Sequence, residues 1–343
     1  MSTQLALTEA SLPEYLREIG LFEATDEIRV EKAGDGNINW VRRAYSPGGK
    51  SYIVKQARPA LERFPEYQVS TERLVFEARY FELARCFDEA RTCPTIHGFR
   101  EKDRVLVLED LGDAERLDRA LLRGERAEDA ATTLGGFLGR VHAATRRPEL
   151  VDRFQNQEMQ RLHGDHIFKL PLEANEFPLP PRIREKADAL GRDERLRSVA
   201  TETYARYLRP EGALVHGDVQ AGNILLTDRG PVLLDGEIAH IGDPAFDLGT
   251  LVAHLALPAL AGESLPEALP SISAAWAAYQ KAHGAEALPE FRSVTRYAGL
   301  ELLRRTIGAA RVEAVASDDA GLRVIEAAMD WILTPRERPE ALG

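Results

Sequence analysis

Between Val215 and Gly249 the chain reads VHGDVQAGNILLTDRGPVLLDGEIAHIGDPAFDLG, and this run leaves little freedom in how it can fold. Ile224-Leu225-Leu226 and Pro231-Val232-Leu233-Leu234 are short apolar runs of strand type, separated by the turn signal Asp228-Arg229-Gly230. The pattern predicts a hairpin. Both of its ends carry polar residues that neither strand needs. Asp218 and Asn223 lie in the loop before the first strand, and Asp235-Gly236-Glu237 follows directly on the second. Closing the hairpin brings an amide and several acids together. A single acid at a hairpin end is commonly a solvated turn former, but a whole set interrupting apolar strands needs a chemical reason.

Phosphoryl transfer supplies such a reason, because it needs an acid to orient the attacking hydroxyl and hard oxygen ligands to hold Mg²⁺ against phosphates. On that chemistry Asp218 is the expected base or hydroxyl-orienting residue, and Asn223, Asp235 and Glu237 are the expected magnesium ligands. His216 is read as a core histidine shaping the loop, in preference to a proton-transfer group.

The earlier part of the chain offers partners for a nucleotide. Residues 28 to 57 alternate in strand fashion and are broken by turn signals at Asp35-Gly36-Asn37 and Pro47-Gly48-Gly49. Gly34, Asp35, Gly36 and Asn37 would let backbone N–H groups approach phosphates, and they would serve equally as an ordinary hairpin turn. Lys55, in the strand Ile53-Val54-Lys55, either points at solvent or reaches ATP phosphates. A helix follows over about 71 to 85 with Leu74, Ala78 and Phe81 on one face. Glu77 borders that stripe and needs a partner; Lys55 is the obvious one, with Glu72 and Glu82 as rivals for the pairing. Two further strands bracket Glu101-Lys102-Asp103.

Beyond about 110 to 115 the character changes. Residues 131 to 145, much of 184 to 208 and most of 265 to 335 read as helix. The run LGTLVAHLALPALAG, which contains His254 and Pro258, reads as a buried helix with its end. Phe154 to Pro181 reads as loop, with several prolines, and is a candidate lid over a substrate. The expected fold class is therefore α+β: a small antiparallel-sheet lobe over 1–110 that binds nucleotide, and a larger, mainly helical lobe over 111–343 for catalysis and substrate.

The formal net charge of −11 argues against a general nucleic-acid binder, although an anionic nucleotide would still want local basic groups or a metal. Cys86 and Cys93 are too few for a disulfide framework and fit no zinc spacing, which points to a reducing cytoplasm. No apolar stretch approaches the roughly 18 residues of a membrane span. The N-terminal MSTQLALTEASLPEYL lacks the basic and apolar regions of a leader and reads as mature protein. Aromatic residues are few in the motifs, so recognition by stacking is not indicated.

VHGDVQAGN resembles the catalytic loop of the aminoglycoside phosphotransferase and choline kinase-like superfamily, small-molecule relatives of the protein kinases. LLDGEIAHIGDPAFDLG resembles that superfamily's metal-binding segment and the helix start after it. The resemblance covers roughly residues 28 to 310 and implies a bilobal protein-kinase-like fold that uses ATP and Mg²⁺. It implies Asp218 as the base, Asn223 and Asp235 as metal ligands, and Lys55 paired with Glu77 at the ATP phosphates. It places the backbone around Glu109 and Leu111 at adenine. Asp247 looks like a buried structural acid, and His142 like a structural residue ending the first large-lobe helix.

A narrower similarity is to the 5-methylthioribose kinase family. GDGNINWVRRA, SYIVKQA, LVLEDLGDAERL, the acid-Gly-Glu segment and GLELLRRTIGAARV carry it. It implies that Arg304 and Arg305 bind a sugar substrate, and it implies a homodimer. Forked guanidinium donors suit both hydroxyls and a phosphorylated product. The chain departs from that family at Gln220-Ala221-Gly222-Asn223, where the family has His-Thr-Gly-Ser, and at Gly236, where it has proline. It also lacks an insertion near the substrate. The expected activity is transfer of phosphate from ATP to a hydroxyl of a small sugar, 5-methylthioribose or a related deoxypentose. Aminoglycoside, choline-like and amino-alcohol acceptors are the alternatives, and an arginine-lined cleft disfavours polycations. A protein kinase is disfavoured because little chain separates Asp235 from GDPAFDLG to form an activation loop. A non-catalytic binding protein is disfavoured because every expected catalytic group is present.

Overall fold

The computed structural model describes residues 5–34, 39–60 and 68–343. The chain divides into two compact units, one of Met1–Cys86 with Cys93–Ala114 and the other of Phe87–Thr92 with Glu115–Gly343.

The smaller unit contains α1 (Leu12–Glu18), β1 (Arg29–Lys32), β2 (Trp40–Tyr45), β3 (Ser51–Gln56), α2 (Arg73–Ala84), β4 (Ile96–Arg100) and β5 (Val105–Glu109). Its five strands form an antiparallel sheet in the order β1-β2-β3-β5-β4. Side chains alternate across a strand, and β5 shows what that does here. Val105 and Val107 join Val54, Trp40 and Ala44 in a core with Leu12, Leu16 and Phe22 from the N-terminal segment. Leu106 and Leu108 point the other way, against Leu74 and Ala78 of α2. Lys55 lies opposite Leu106 in the register, so it belongs to the α2 face. Asp35, Gly36 and Asn37 lie outside the described residues, while Gly34 follows β1 with φ +65°.

The larger unit opens with β6 (Glu115–Arg116), α3 (Leu117–Leu122), α4 (Glu128–Ala144), α5 (Leu150–Arg153), α6 (Gln157–Gly164), α7 (Pro181–Leu190) and α8 (Glu194–Tyr207). Four short strands follow: β7 (Ala213–Val215), β8 (Ile224–Thr227), β9 (Gly230–Leu233) and β10 (His240–Gly242). It closes with α9 (Ala245–Ala261), α10 (Leu265–His283), α11 (Phe291–Ile307) and α12 (Asp318–Leu333). The hairpin expected around Asp228-Arg229-Gly230 is β8–β9, paired from Ile224–Leu233 to Thr227–Gly230. Apolar nearly all round, α9 is buried among α10, α11 and α12. No helix among the described residues is long and apolar enough to cross a membrane.

Two local expectations are corrected. The supposed loop over 154–181 is helical for about half its length, since α6 runs on through a π turn at Asp165–Lys169. Its prolines all lie at or beyond Pro171, and only the later part is irregular. Pro258 sits inside α9, which continues to Ala261. Removal of one amide donor weakens a helix but does not stop it when packing holds the last turn.

Glycines let α4 and α10 approach closely. A Cβ built on Gly135 would lie 2.1 Å from the Ala275 carbonyl oxygen, and one on Gly139 would lie 2.7 Å from that of Tyr279. Gly135→Ala should therefore lose about 1–3 kcal/mol by overpacking, although alanine is the better helix former. A thermal melt checks this, and a variant as stable as the parent would contradict the close approach.

Candidate active site

Val215 ends β7, and the chain must turn before β8. Gly217 makes the turn with φ +86°; a Cβ there would meet the Ile238 carbonyl oxygen at 2.8 Å, so glycine is required. The loop backbone is held from below by Asp247, in the first turn of α9. The N–H groups of His216 and Gly217 donate to its two oxygens at 2.7 and 2.9 Å. His142 on α4 adds Nε2 at 3.2 Å, and its Nδ1 lies 3.2 Å from the Tyr279 hydroxyl of α10. Burial pushes the Asp247 carboxyl up, but the bond and charge of His142, with His216 and the Gly217 N–H, hold it below the ordinary carboxylate range. His216 is buried, and its Nδ1 accepts the Asp218 N–H at 3.2 Å.

Asp218 is thereby fixed at the end of the turn. Its Oδ2 accepts from Gln220 Nε2 at 2.8 Å and from Asn223 Nδ2 at 2.9 Å. Its buried Oδ1 has no hydrogen bond and faces His163 Nε2 of α6 at 3.7 Å. Gln220 has a second partner, because its Oε1 accepts from Arg305 Nη2 at 2.7 Å. Arg304 and Arg305 both turn to Glu301 one helical turn earlier, at 3.0 and 2.6 Å, and His254 Nε2 approaches the same carboxylate at 3.2 Å. All four side chains are buried. Adjacent residues on α11 thus converge on one acid, and one of them continues through Gln220 to Asp218.

Electrostatics follow from this wiring. Burial raises the cost of charge on Asp218, while His163, Arg304 and Arg305 pull its pKa below the usual carboxylate range. His163 is itself driven down to about 3, first by burial and then by Arg304, so near neutral pH it carries no charge. Arg304 and Arg305 supply the positive charge near Asp218 that persists at neutral pH, with Glu301 opposing them. Burial likewise works against charge on Glu301, and Arg304 and Arg305 overcome it, holding its pKa well below the ordinary value. A cavity of about 250 Å³ adjoins the network, with Gln220, Arg305, Arg116, Arg311, Leu122 and Leu257 among its walls.

The other expected residues sit as follows. Leu234 N–H donates to the Asn223 carbonyl at 2.8 Å, tying the hairpin ends so that Asn223 and Asp235 are neighbours across it. Asp235 is held at φ +64°, ψ 53°, a left-handed conformation costing a non-glycine residue about 1–3 kcal/mol. Glu237 is buried and only 6% exposed. Among the described residues no three His, Cys, Asp or Glu side chains gather as a metal-binding group. In the smaller unit Lys55 Nζ reaches the Glu77 carboxylate at 2.7 and 2.9 Å, with Lys55 5% and Glu77 0% exposed. The rivals Glu72 and Glu82 are exposed, and Glu72 pairs with Arg104. Glu109 ends β5, where its N–H donates to the Thr95 carbonyl at 2.9 Å; Leu111 follows two residues on. Motif reading missed Glu301, His163 and the role of Gln220. Glu301 carried a signal, being an acid three and four residues before two arginines within an apolar helix. His163 carried none.

The fold and this loop define a phosphotransferase, and the chain belongs to the Phosphotransferase enzyme family, whose profile matches residues 29–293. It is a small-molecule kinase of that family. Among its relatives are the methylthioribose kinases of Bacillus cereus, 28% identical over 90% of this chain and 86% of that protein, and of Bacillus velezensis, 28% identical over 89% and 85%. Its fold is shared with the choline kinase LicA from Streptococcus pneumoniae, at TM-score 0.51 and 16% identity over 94% of this chain and 98% of the other. It is also shared with a choline/ethanolamine kinase family protein from Mesorhizobium loti, at TM-score 0.52 and 15% identity over 94% and 95%.

Asp247→Asn puts an amide N–H where the carboxylate now accepts. It should cost about 2–4 kcal/mol in chemical denaturation at neutral pH. The native pKa of Asp247 is depressed, so its contribution is complete above the unfolded value of about 4 and is lost as pH falls through the native one. The variant's deficit should therefore shrink in acid, and a deficit that stays constant with pH would contradict the assignment.

Proposed function

We propose that this chain transfers the γ-phosphoryl group of ATP to a hydroxyl of a small sugar, 5-methylthioribose or a related deoxypentose. One observation carries the proposal: a buried, ionised Asp218 tied through Gln220 to Arg305 at the wall of a cavity. The methylthioribose kinases among its relatives support the sugar, and the cavity walls support it chemically. Leu121, Leu122, Leu257 and Pro258 suit an apolar 5-substituent, while Gln220 and Arg305 suit ring hydroxyls. The same walls hold four arginines against two acids, Asp118 and Glu313, an excess that argues against a polycationic aminoglycoside.

In the proposed reaction Asp218 orients the acceptor hydroxyl and takes its proton as the new O–P bond forms and the bond to the β-phosphate breaks. Lys55, held straight by Glu77, grips the phosphates that are not transferred. Backbone groups of Glu109 and Leu111 bind adenine, and Gly34, Asp35, Gly36 and Asn37 cover the phosphates. Mg²⁺ is commonly held by one or two carboxylates together with phosphate oxygens, so no all-protein cage is needed. The hard oxygens of Asn223 and Asp235 at the tied hairpin ends, with Glu237 beside them, fit that demand. When bound there, the ion neutralises charge on the phosphoryl oxygens.

Turnover with ATP and Mg²⁺ against methylthioribose, 5-deoxyribose, ribose, choline, kanamycin and homoserine tests the proposal. A 5-substituted ribose should be the preferred acceptor, and Asp218→Ala should reduce turnover at least about 10³-fold. Turnover confined to choline or kanamycin would overturn the sugar assignment. Arg305→Met should lower kcat/KM for the sugar about 10- to 100-fold and leave KM for ATP within about twofold. An equal effect on both substrates would show that the arginine does not serve the acceptor.

A further inference from the structure

Gln220 is where the two charged parts of the site meet, and its amide has no freedom in how it serves them. A carboxylate can only accept and a guanidinium can only donate. The amide nitrogen must therefore face Asp218 Oδ2, at 2.8 Å, and the amide oxygen must face Arg305 Nη2, at 2.7 Å. Asn223 Nδ2 fixes the same Oδ2 from the other side at 2.9 Å, and also bonds the Asp218 carbonyl oxygen at 3.1 Å. Arg305 in turn is anchored at Glu301 by its Nε at 2.6 Å. A continuous chain of hydrogen bonds thus runs from Glu301 on α11 to the carboxylate of Asp218, and Gln220 is the only link in it with no charge of its own. Gln220 also lines the cavity beside Arg305.

We propose that Gln220 is a positioning residue that sets the orientation of the Asp218 carboxylate by coupling it to Arg305. The coupling works because a neutral amide offers a donor to the Asp218 carboxylate and an acceptor to the Arg305 guanidinium without adding repulsion. Two polar groups that could otherwise drift apart are held at a fixed spacing. The inference rests on the phosphoryl-transfer reading for its catalytic consequence, but the contact itself is testable without turnover.

Two variants separate the possibilities. Gln220→Glu keeps the length and the bond to Arg305 but sets a second carboxylate oxygen, which cannot donate, against Asp218 Oδ2. Gln220→Met keeps the volume and removes both bonds. With the best acceptor found, Q220M should lose about 10- to 100-fold in kcat with KM for ATP within about twofold. Q220E should lose kcat at least as far, because the bond to Arg305 alone does not hold Asp218. A residue that merely packs would not move kcat apart from KM. Independently of activity, Q220E should be less stable than Q220M at neutral pH, because it sets two carboxylates against each other whereas Q220M only removes bonds.

Parent-like kcat in Q220M or in Q220E overturns the inference and leaves the sugar-kinase proposal standing. Turnover of choline or kanamycin alone, with both Gln220 effects present, overturns the sugar and leaves the inference standing. Q220E as stable as Q220M at neutral pH overturns the contact whatever the acceptor proves to be.

Discussion

A carboxylate shut away from water has to be satisfied by the protein around it, and Asp247 is satisfied by the backbone that carries Asp218. Its two oxygens take the N–H groups of His216 and Gly217, and His142 closes the remaining side. Because the acid sits in the first turn of α9 and His142 sits on α4, the turn after β7 is fastened to two helices at once. Tyr279 extends the fastening to α10. Removing any one partner would strand charge or a donor in a dry interior, where each unpaired group costs kilocalories. The loop's geometry is thus a consequence of where a buried charge can be tolerated.

The same logic is repeated on α11. Glu301 is as deeply buried as Asp247, and it gathers Arg304, Arg305 and His254. Two guanidinium groups against one internal acid leave positive character near Asp218, and together with His163 it works against the burial that raises that carboxyl's pKa. A chain with a formal net charge of −11 therefore sets two arginines near its candidate base, one of them linked to it through Gln220. Local arrangement, and not the total, decides the ionisation of one side chain.

Much of this was legible in the sequence where chemistry and chain position coincide. Asp218, Asn223 and Asp235 flank a hairpin whose strands and turn are local signals, so their proximity follows from a short stretch of chain. Lys55 and Glu77 were readable as a pair because an acid beside an apolar helical stripe needs a cation, although only the fold separates Glu77 from the exposed Glu72 and Glu82. The links that depend on distant packing were not legible. Gln220 and Arg305 are 85 residues apart and meet only because α11 passes behind the loop. His163 belongs to a segment whose prolines suggested loop, yet those prolines begin only at Pro171, after α6 has placed His163 against Asp218. Short apolar and turn patterns reveal which groups are present, while helix packing decides which of them touch.

The claim on which all of this turns is that Asp218 stays ionised because the groups facing it, His163 and the arginines of α11, outweigh its burial. The carboxyl carbon of Asp218, followed by ¹³C NMR as pH is lowered and assigned by its loss in Asp218→Asn, measures that balance in the protein without ligands. The account predicts a midpoint below the ordinary aspartate value of about 3.9. A midpoint well above it, as burial alone would produce, would contradict the account.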